Sequence, residues 1–251
     1  MNTTIDNLIS EAKTRFEKDL ATNGYSAVTG SSRQLENILY SSNPVNGHLY
    51  LDIGTGNGFI AFAVARSFPK AIVTGIDLSE KIINLNNDNA KSEGLDNLSF
   101  KVFDGKSFPF AENSFDGIYC RYAFHHFPLP ESSVKDIARL VKKGGFCFIT
   151  DPVPCNDDTF GFADDFSRLR KDGHVKYHPA DELNGFFNDN RFTAESVFFD
   201  EITFPRDYNS SYEALINKIP GSLKESYKLK INSNKLYITL RVMNTLFRKI
   251  I

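Results

Sequence analysis

Apolar and polar residues alternate with two different periods along the chain, and the period predicts where strands and helices lie. Between residues 49 and 150, short apolar runs typical of buried strands are separated by stretches with apolar residues at helical spacing. Five strands are predicted here, at 48–53, 71–77, 98–104, 115–120 and 145–150. Helices are predicted between them, at 59–68, 80–93 and 131–142. This alternation indicates an α/β fold with a parallel sheet covered by helices on both faces.

The pattern is different on either side of this region. Two helices are predicted before it, at 4–20 and 31–40. The elements predicted after it are a helix within 153–178, a helix at 181–190, a strand at 192–204 and a partly helical segment at 206–232. Around 236–242 apolar and polar residues alternate with period two, which favours a strand over a membrane-surface helix. We predict a single domain over residues 1–251, with N-terminal helices (1–44), a core (45–151) and a cap segment with C-terminal strands (152–251).

Composition and charge narrow the class of protein. The net charge of −2 gives no general attraction to nucleic acid or to acidic lipid. No apolar run approaches the roughly 20 residues that span a bilayer, and the first residues lack the apolar stretch of a signal peptide. We therefore expect a cytoplasmic protein with no membrane span and no nucleic-acid partner. Three cysteines without a CxxC pair predict no metal site.

The strongest local signal is a glycine-rich turn between the first predicted strand and the helix after it, with the sequence LDIGTGNG from Leu51 to Gly58. Glycines there permit a tight turn and a close approach of the backbone to a ligand. Phe59 occupies the place of the third glycine in the dinucleotide pattern, which argues against NAD. Asp52 would repel a pyrophosphate and attract an ammonium group, and the loop has no Arg or Lys for a phosphate. A cationic ligand without phosphate, such as S-adenosylmethionine (SAM), fits better.

Two further carboxylates follow the next two predicted strands. Asp77 ends the second strand, where a carboxylate can accept hydrogen bonds from both hydroxyls of a ribose. Asp104 ends the third strand, where it can accept from the exocyclic amine of adenine while Phe103 packs against the ring. Acids at three successive strand ends indicate a nucleoside site.

Residues 45–151 resemble the class I SAM-dependent methyltransferases, and more narrowly the UbiE-like group with its YcgJ-type members. The resemblance lies in the stretches LDIGTGNG, GIDLSEKII, FKVFDGKSFPF, NSFDGIYCRYAFHHFP and LVKKGGFCFITD. The later segment FSRLRKDGHVKYHPADELNGFF is also similar to YcgJ-type members, so the resemblance covers most of residues 30–200. It implies a Rossmann-like, mostly parallel sheet of seven strands with an antiparallel last strand and a small helical cap. It also implies SAM as the cofactor and S-adenosylhomocysteine as its product.

The same resemblance implies which residues contact the cofactor. The methionine end is assigned to Asp52, Gly54, Thr55 and Gly56. The ribose and adenosine are assigned to Asp77 and Leu78, and the adenine to Phe103, Asp104 and Gly105. The region near the sulfonium is assigned to Cys120 and Arg121.

The acceptor should enter beside the fourth strand, where Tyr122 to Phe127 follow the strand end. A histidine can act as a general base near neutral pH, so His125 and His126 are both candidates, with no basis for choosing between them. In the cap segment, His174 and Tyr177 are candidates for binding a polar group of the substrate. The 23 Phe and 10 Tyr residues suit a large core or a pocket for an apolar or flat acceptor.

Four functions remain open from the sequence. The first is methyl transfer to carbon, oxygen or nitrogen of a small molecule by in-line displacement. The second is a nucleic-acid methyltransferase, which would need a basic face. The third is an oxidoreductase with a nucleotide cofactor, and the fourth is a protein that binds SAM without chemistry. The acceptor, any movement of residues 153–178 and the oligomeric state also stay open, a homodimer being one of the alternatives.

Overall fold

A computed structural model describes residues 2–20 and 29–250 of the chain. Its centre is one sheet of eight strands: β1 (Leu49–Ile53), β2 (Ile72–Asp77), β3 (Leu98–Val102), β4 (Phe115–Arg121), β5 (Val141–Val153), β6 (Phe192–Asp207), β7 (Lys230–Asn232) and β8 (Lys235–Lys249). The strand order is β3-β2-β1-β4-β5-β8-β6, and β7 pairs with β8 outside this path.

Helices flank the sheet, and among the described residues of its first half a helix follows β1, β2 and β4 but not β3. In the described part of the chain they are α1 (Asn2–Leu20), α2 (Ser32–Ser42), α3 (Phe59–Ser67), α4 (Glu80–Ser92), α5 (Pro130–Leu140), α6 (Phe162–Arg168), α7 (Ala180–Asn188), α8 (Ser210–Ile216) and α9 (Gly221–Ser226). Ser31 caps α2 and Ser79 caps α4, since each hydroxyl accepts a hydrogen bond from the backbone N–H three residues later. None of these helices has the length and apolar character needed to cross a membrane.

The pairing of the strands determines where a site can form. β1 pairs in parallel with both β2 and β4, and β2 pairs in parallel with β3. β8 lies antiparallel between β5 and β6. The carboxyl ends of β1 to β4 therefore meet at one edge of the sheet, which is where parallel sheets bind ligands. The predicted mostly parallel sheet with an antiparallel last strand is confirmed.

The number of strands differs from the expected seven because the connection between β6 and β8 carries an additional short strand. β7 pairs with the start of β8, from Lys230 opposite Tyr237 to Asn232 opposite Lys235. Helices α8 and α9 precede it, so the segment predicted as partly helical contains two short helices and a strand. Its apolar residues join an apolar cluster with α6, β6 and β8 that forms the cap.

Two larger apolar clusters cover the two faces of the sheet. One packs α5 and α7 against β4, β5 and β8, and Phe187 of α7 stacks on Phe247 of β8 with ring centroids 4.0 Å apart. The other packs α2, α3 and α4 against the opposite face. The predicted covering of both faces by helices is therefore confirmed, and it holds the strand ends in fixed positions.

We predict that Phe187→Ala lowers the free energy of unfolding by about 3–5 kcal/mol, because it removes a fully buried ring and leaves a cavity. Phe160→Ala is the matched control, since the Phe160 ring is 59% exposed. This variant should lower the free energy of unfolding by less than about 1 kcal/mol. Urea denaturation followed by circular dichroism measures both values. Equal losses for the two variants would show that the contact between α7 and β8 does not stabilise the fold.

Candidate functional site

The glycine-rich turn lies at the carboxyl end of β1 and is held on two sides. On one side, a Cβ atom added to Gly54 would lie 2.4 Å from the Cβ of Ala123, and Gly54 has a φ of +65°. Only glycine fits this position, because both the contact and the backbone angle exclude a side chain. On the other side, the N–H of Gly56 donates to the carboxylate of Asp77 over 2.9 Å. The turn is thus fixed between the ends of β2 and β4.

Two adjacent cavities lie around this turn. The first, which we name the polar chamber, has a volume of about 90 Å³. Its walls include most of the glycine turn and several polar side chains: Asp19, Thr29, Asp52, Thr55, Gly56, Asn57, Phe59, Ile60, Ile82, Arg121 and Tyr122. The second, the apolar chamber, has a volume of about 70 Å³. Its walls are mostly apolar: Leu8, Ile9, Ala12, Ile53, Leu78, Phe103, Gly105, His126, Phe127 and Pro128. Both chambers share Phe16, Gly54, Asp77 and Ala123.

Asp52 provides the acidic group of the polar chamber. The side chain is almost completely buried, and its carboxylate accepts a hydrogen bond of 2.7 Å from the hydroxyl of Thr55. Burial raises the pKa of Asp52 to about 7, although the Thr55 hydrogen bond and the charge of Arg121 act in the opposite direction. An incoming cation would lower this pKa and stabilise the ionised carboxylate.

Arg121 provides the basic group of the same chamber. Its guanidinium lies between two aromatic rings, 4.3 Å from the centroid of Phe59 and 4.4 Å from that of Tyr122. Its Nε donates to Gln34 over 2.9 Å, and a terminal nitrogen donates to the carbonyl of Thr29. An acidic and a basic side chain in one chamber are complementary to a ligand that carries both an ammonium and a carboxylate.

Asp77 lies where the two chambers meet. Besides the N–H of Gly56, its carboxylate accepts a hydrogen bond from the N–H of Ser79 over 3.1 Å. Burial raises the pKa of Asp77, and these backbone donors partly offset that effect. The position between a polar and an apolar chamber suits a carboxylate that binds the hydroxyl groups in the middle of a bipartite ligand.

Two of the predicted cofactor residues lie outside both chambers. Asp104 is exposed, and its carboxylate accepts hydrogen bonds from the backbone of Lys106 and Ser107 in its own loop. Cys120 is buried in the apolar cluster beneath α5. The adjoining Phe103 does line the apolar chamber and stacks on Phe108 with ring centroids 5.0 Å apart.

The predicted substrate and catalytic residues separate into two groups. Tyr122 and His126 line the chambers. By contrast, His125, His174 and Tyr177 form a buried cluster under the cap, outside the two chambers, with the rings of His174 and Tyr177 4.4 Å apart.

His125 and His126 lie side by side in different surroundings. His125 pairs through Nδ1 with Asp151 over 2.8 Å, and its carbonyl accepts from the N–H groups of Val175 and Lys176 in the cap segment. Burial lowers the pKa of both histidines to about 3, so each is uncharged at neutral pH. His125 thus connects β4 to the cap, whereas His126 faces a chamber.

Several residues of the site were not predicted from the sequence. Phe16 of α1 lines both chambers and packs edge-on against His126, with ring centroids 5.4 Å apart. Gln34 of α2 contacts Arg121, as described above, and Asp151 at the end of β5 contacts His125. Helical periodicity placed Phe16 and Gln34 on helices, but no local pattern relates those helices to the glycine turn.

The free volume of the two chambers is smaller than that of most ligand sites, which enclose roughly 300–1,000 Å³. α1 accounts for this, because Phe16 fills the junction between the chambers and Ile9 packs on Gly105. A ligand that occupied both chambers would therefore displace the Phe16 ring or α1.

Comparison with known proteins places this geometry in context. Residues 45–185 match the family model described as a methyltransferase domain. The uncharacterized methyltransferase YcgJ of Bacillus subtilis is 30% identical over 151 residues, which cover 60% of this chain and 59% of that protein. A ubiquinone/menaquinone biosynthesis C-methyltransferase, UbiE of Desulfotalea psychrophila, is 33% identical over 104 residues, covering 41% of each chain. The chain thus spans less than two thirds of the length of these relatives.

The crystal structure of YcgJ from Bacillus subtilis has the same fold. It superposes with a TM-score of 0.75 at 23% sequence identity, covering 88% of this chain and all of that chain. Because 88% of this chain superposes, the agreement in fold extends beyond the matched family region of residues 45–185.

Proposed function

Since this chain belongs to the family of SAM-dependent methyltransferases, we propose that it transfers the methyl group of SAM to a small-molecule acceptor. The observation that carries the proposal is the presence of Asp52 and Arg121 in one chamber, with Asp77 shared between that chamber and an apolar one. The groups of SAM follow one another in an order that matches these chambers: an amino acid end, a ribose and an adenine.

The residues present fit this cofactor by their chemistry. Asp52 would bind the ammonium and Arg121 the carboxylate of the methionine end, since opposite charges attract strongly in a buried site. Asp77 would accept from the ribose hydroxyls, and Leu78 and Phe103 would pack against the adenine. The predicted adenine contact of Asp104 is not part of the proposal, because that carboxylate caps its own loop.

Bound SAM supplies an electrophilic methyl group on a positively charged sulfur. The contribution of the protein is to align an acceptor with that methyl group and to exclude water. Phe16, Phe59 and Tyr122 surround the polar chamber with aromatic surface, and Tyr122 also belongs to the apolar cluster of the cap. We therefore propose an apolar or aromatic acceptor that enters between α1 and the cap. A quinone precursor is one such acceptor, given that the name of the UbiE relative refers to quinone biosynthesis.

Between the two candidate bases, we propose His126. Its ring packs on Phe16, which lines both chambers, whereas His125 is engaged with Asp151 and with the backbone of the cap segment. Burial lowers the pKa of His126 to about 3, which makes it a weak base. A weak base is sufficient when the acceptor atom is oxygen or nitrogen. The proton on that acceptor atom becomes strongly acidic as the atom forms its new bond to the methyl carbon.

The first prediction concerns cofactor binding. Calorimetric titration should give micromolar affinity for SAM and S-adenosylhomocysteine and no binding of NADH. Asp77→Ala should weaken S-adenosylhomocysteine binding by about 30-fold or more, because the ribose loses a charged hydrogen-bond partner. Asp104→Ala is the matched control at the neighbouring strand end and should change the affinity less than about threefold. Binding of NADH instead of SAM would overturn the proposed function, and equal effects of the two variants would overturn the ribose assignment.

The second prediction is a pH dependence of binding. With a pKa of about 7, the Asp52 carboxyl is largely protonated below pH 7 and must release its proton when it binds an ammonium group. Affinity for S-adenosylhomocysteine should therefore fall as the pH decreases, by about 20-fold between pH 7.5 and 5.5. Calorimetry in buffers of different ionisation enthalpy measures both the affinity and the released proton. The Asp52→Asn variant should bind more weakly at pH 7.5 and show a flat profile; a wild-type slope in that variant would contradict the assignment.

The third prediction separates the two histidines. With an acceptor found by screening quinone precursors, phenols and amines, His126→Asn should lower kcat by about 100-fold with little change in cofactor affinity. His125→Leu should instead lower the free energy of unfolding by about 1–3 kcal/mol, because the buried carboxyl group of Asp151 loses its hydrogen-bond partner. Assays of S-adenosylhomocysteine release and urea denaturation distinguish the effects. Undiminished turnover by His126→Asn would exclude it as the base.

A further inference from the structure

Gln34 is a buried glutamine whose two amide atoms have different partners. The side chain is 4% exposed and reaches from α2 to the end of β4. Its Oε1 accepts from Nε of Arg121 over 2.9 Å, and its Nε2 donates to the hydroxyl of Tyr122 over 3.1 Å. Exchanging the two atoms would place an N–H group against the N–H of Arg121. The orientation of the amide is therefore fixed, because a buried polar group without a partner is costly.

The guanidinium of Arg121 is restrained both in its plane and in its rotation. The rings of Phe59 and Tyr122 fix the plane of its guanidinium. The hydrogen bond to Gln34, together with that to the carbonyl of Thr29, fixes its rotation within that plane. A guanidinium held in plane and in rotation presents its donors to the polar chamber in one direction, which suits the bidentate binding of a carboxylate.

Tyr122 requires similar support. Its φ of +53° is unusual for a residue with a bulky side chain, and such strain persists only where the surroundings enforce it. The N–H of Tyr122 donates to the carbonyl of Thr150 over 2.7 Å, and its hydroxyl is bound by Gln34. Asp200 of β6 lies 3.5 Å from Nε2 of Gln34 and accepts from Asn244 of β8, which extends the polar contacts into the sheet.

We propose that Gln34 is a positioning residue that orients Arg121 toward the carboxylate of the bound cofactor. This inference rests on the proposed function, because it assigns the carboxylate of SAM to Arg121. Gln34 acts only through Arg121 and Tyr122, and it does not itself line either chamber among the described residues. Its loss should therefore reduce selectivity for the carboxylate and leave the binding of the rest of the ligand intact.

The experiment compares two ligands by calorimetry: S-adenosylhomocysteine and its decarboxylated analogue, which lacks only the carboxylate. The wild-type protein should prefer S-adenosylhomocysteine by about 10- to 100-fold, the size expected for a charge-assisted hydrogen-bonded pair. Gln34→Met keeps the volume of the side chain and should reduce this preference by about tenfold. Its affinity for the decarboxylated analogue should stay within about threefold of the wild-type value, which also shows that the variant is folded.

Two further variants make the result specific. Ser42→Ala removes another buried hydrogen bond from α2, the contact of 2.9 Å with the Tyr119 hydroxyl, and should leave the preference unchanged. Arg121→Met should abolish the preference, and adding Gln34→Met to it should cause no further loss, because the two residues act as one unit.

The outcomes separate this inference from the proposed function. If the wild-type protein binds neither ligand, the proposed function fails and the inference fails with it. If it prefers S-adenosylhomocysteine and Gln34→Met retains the full preference, only the inference is overturned. If the preference for S-adenosylhomocysteine falls equally in Gln34→Met and Ser42→Ala, the effect belongs to α2 in general. That result would also overturn the inference.

Discussion

The close contact between Gly54 and Ala123 is the constraint on which the site depends. Parallel pairing of β1 with β4 brings the turns after these strands together, and the absence of a side chain at Gly54 lets them touch. Both residues belong to both chambers, so this contact sets the distance between the polar and the apolar part of the site. A side chain at position 54 would separate the strand ends, and the positions of Asp52, Asp77 and Arg121 relative to one another would change with them.

The features that can be predicted from the sequence are those set by local rules. Ser31 and Ser79 each precede a helical pattern in the sequence, and in the structure each hydroxyl satisfies a free N–H group of the helix that follows. Asp52, Gly54 and Asp77 follow from the position of strand ends in a parallel sheet, and all three line the chambers. Asp104 was predicted by the same rule. However, β3 ends at Val102, and two additional residues allow the carboxylate to turn back onto its own loop.

The remaining features depend on contacts between residues distant in sequence. Gln34 lies 87 positions before Arg121, and no periodicity along α2 indicates that this polar residue faces the end of β4. Similarly, the placement of Phe16 over the chambers depends on how α1 packs on Gly105 and Gly173, which are far apart in the chain. The choice between His125 and His126 was open for the same reason, since it depends on Asp151 of another strand.

The position of β8 has a consequence for how the protein is made. This strand is last in the sequence but lies inside the sheet, between β5 and β6. A ribosome synthesises β5 well before β8, which is its partner strand. The backbone groups along that edge of β5 therefore lack their partner until residues 235–249 have been made. The sheet therefore stays open at β5 until β8 has been synthesised. Over that interval the nascent chain exposes an unpaired strand edge, which is prone to aggregate unless it is covered.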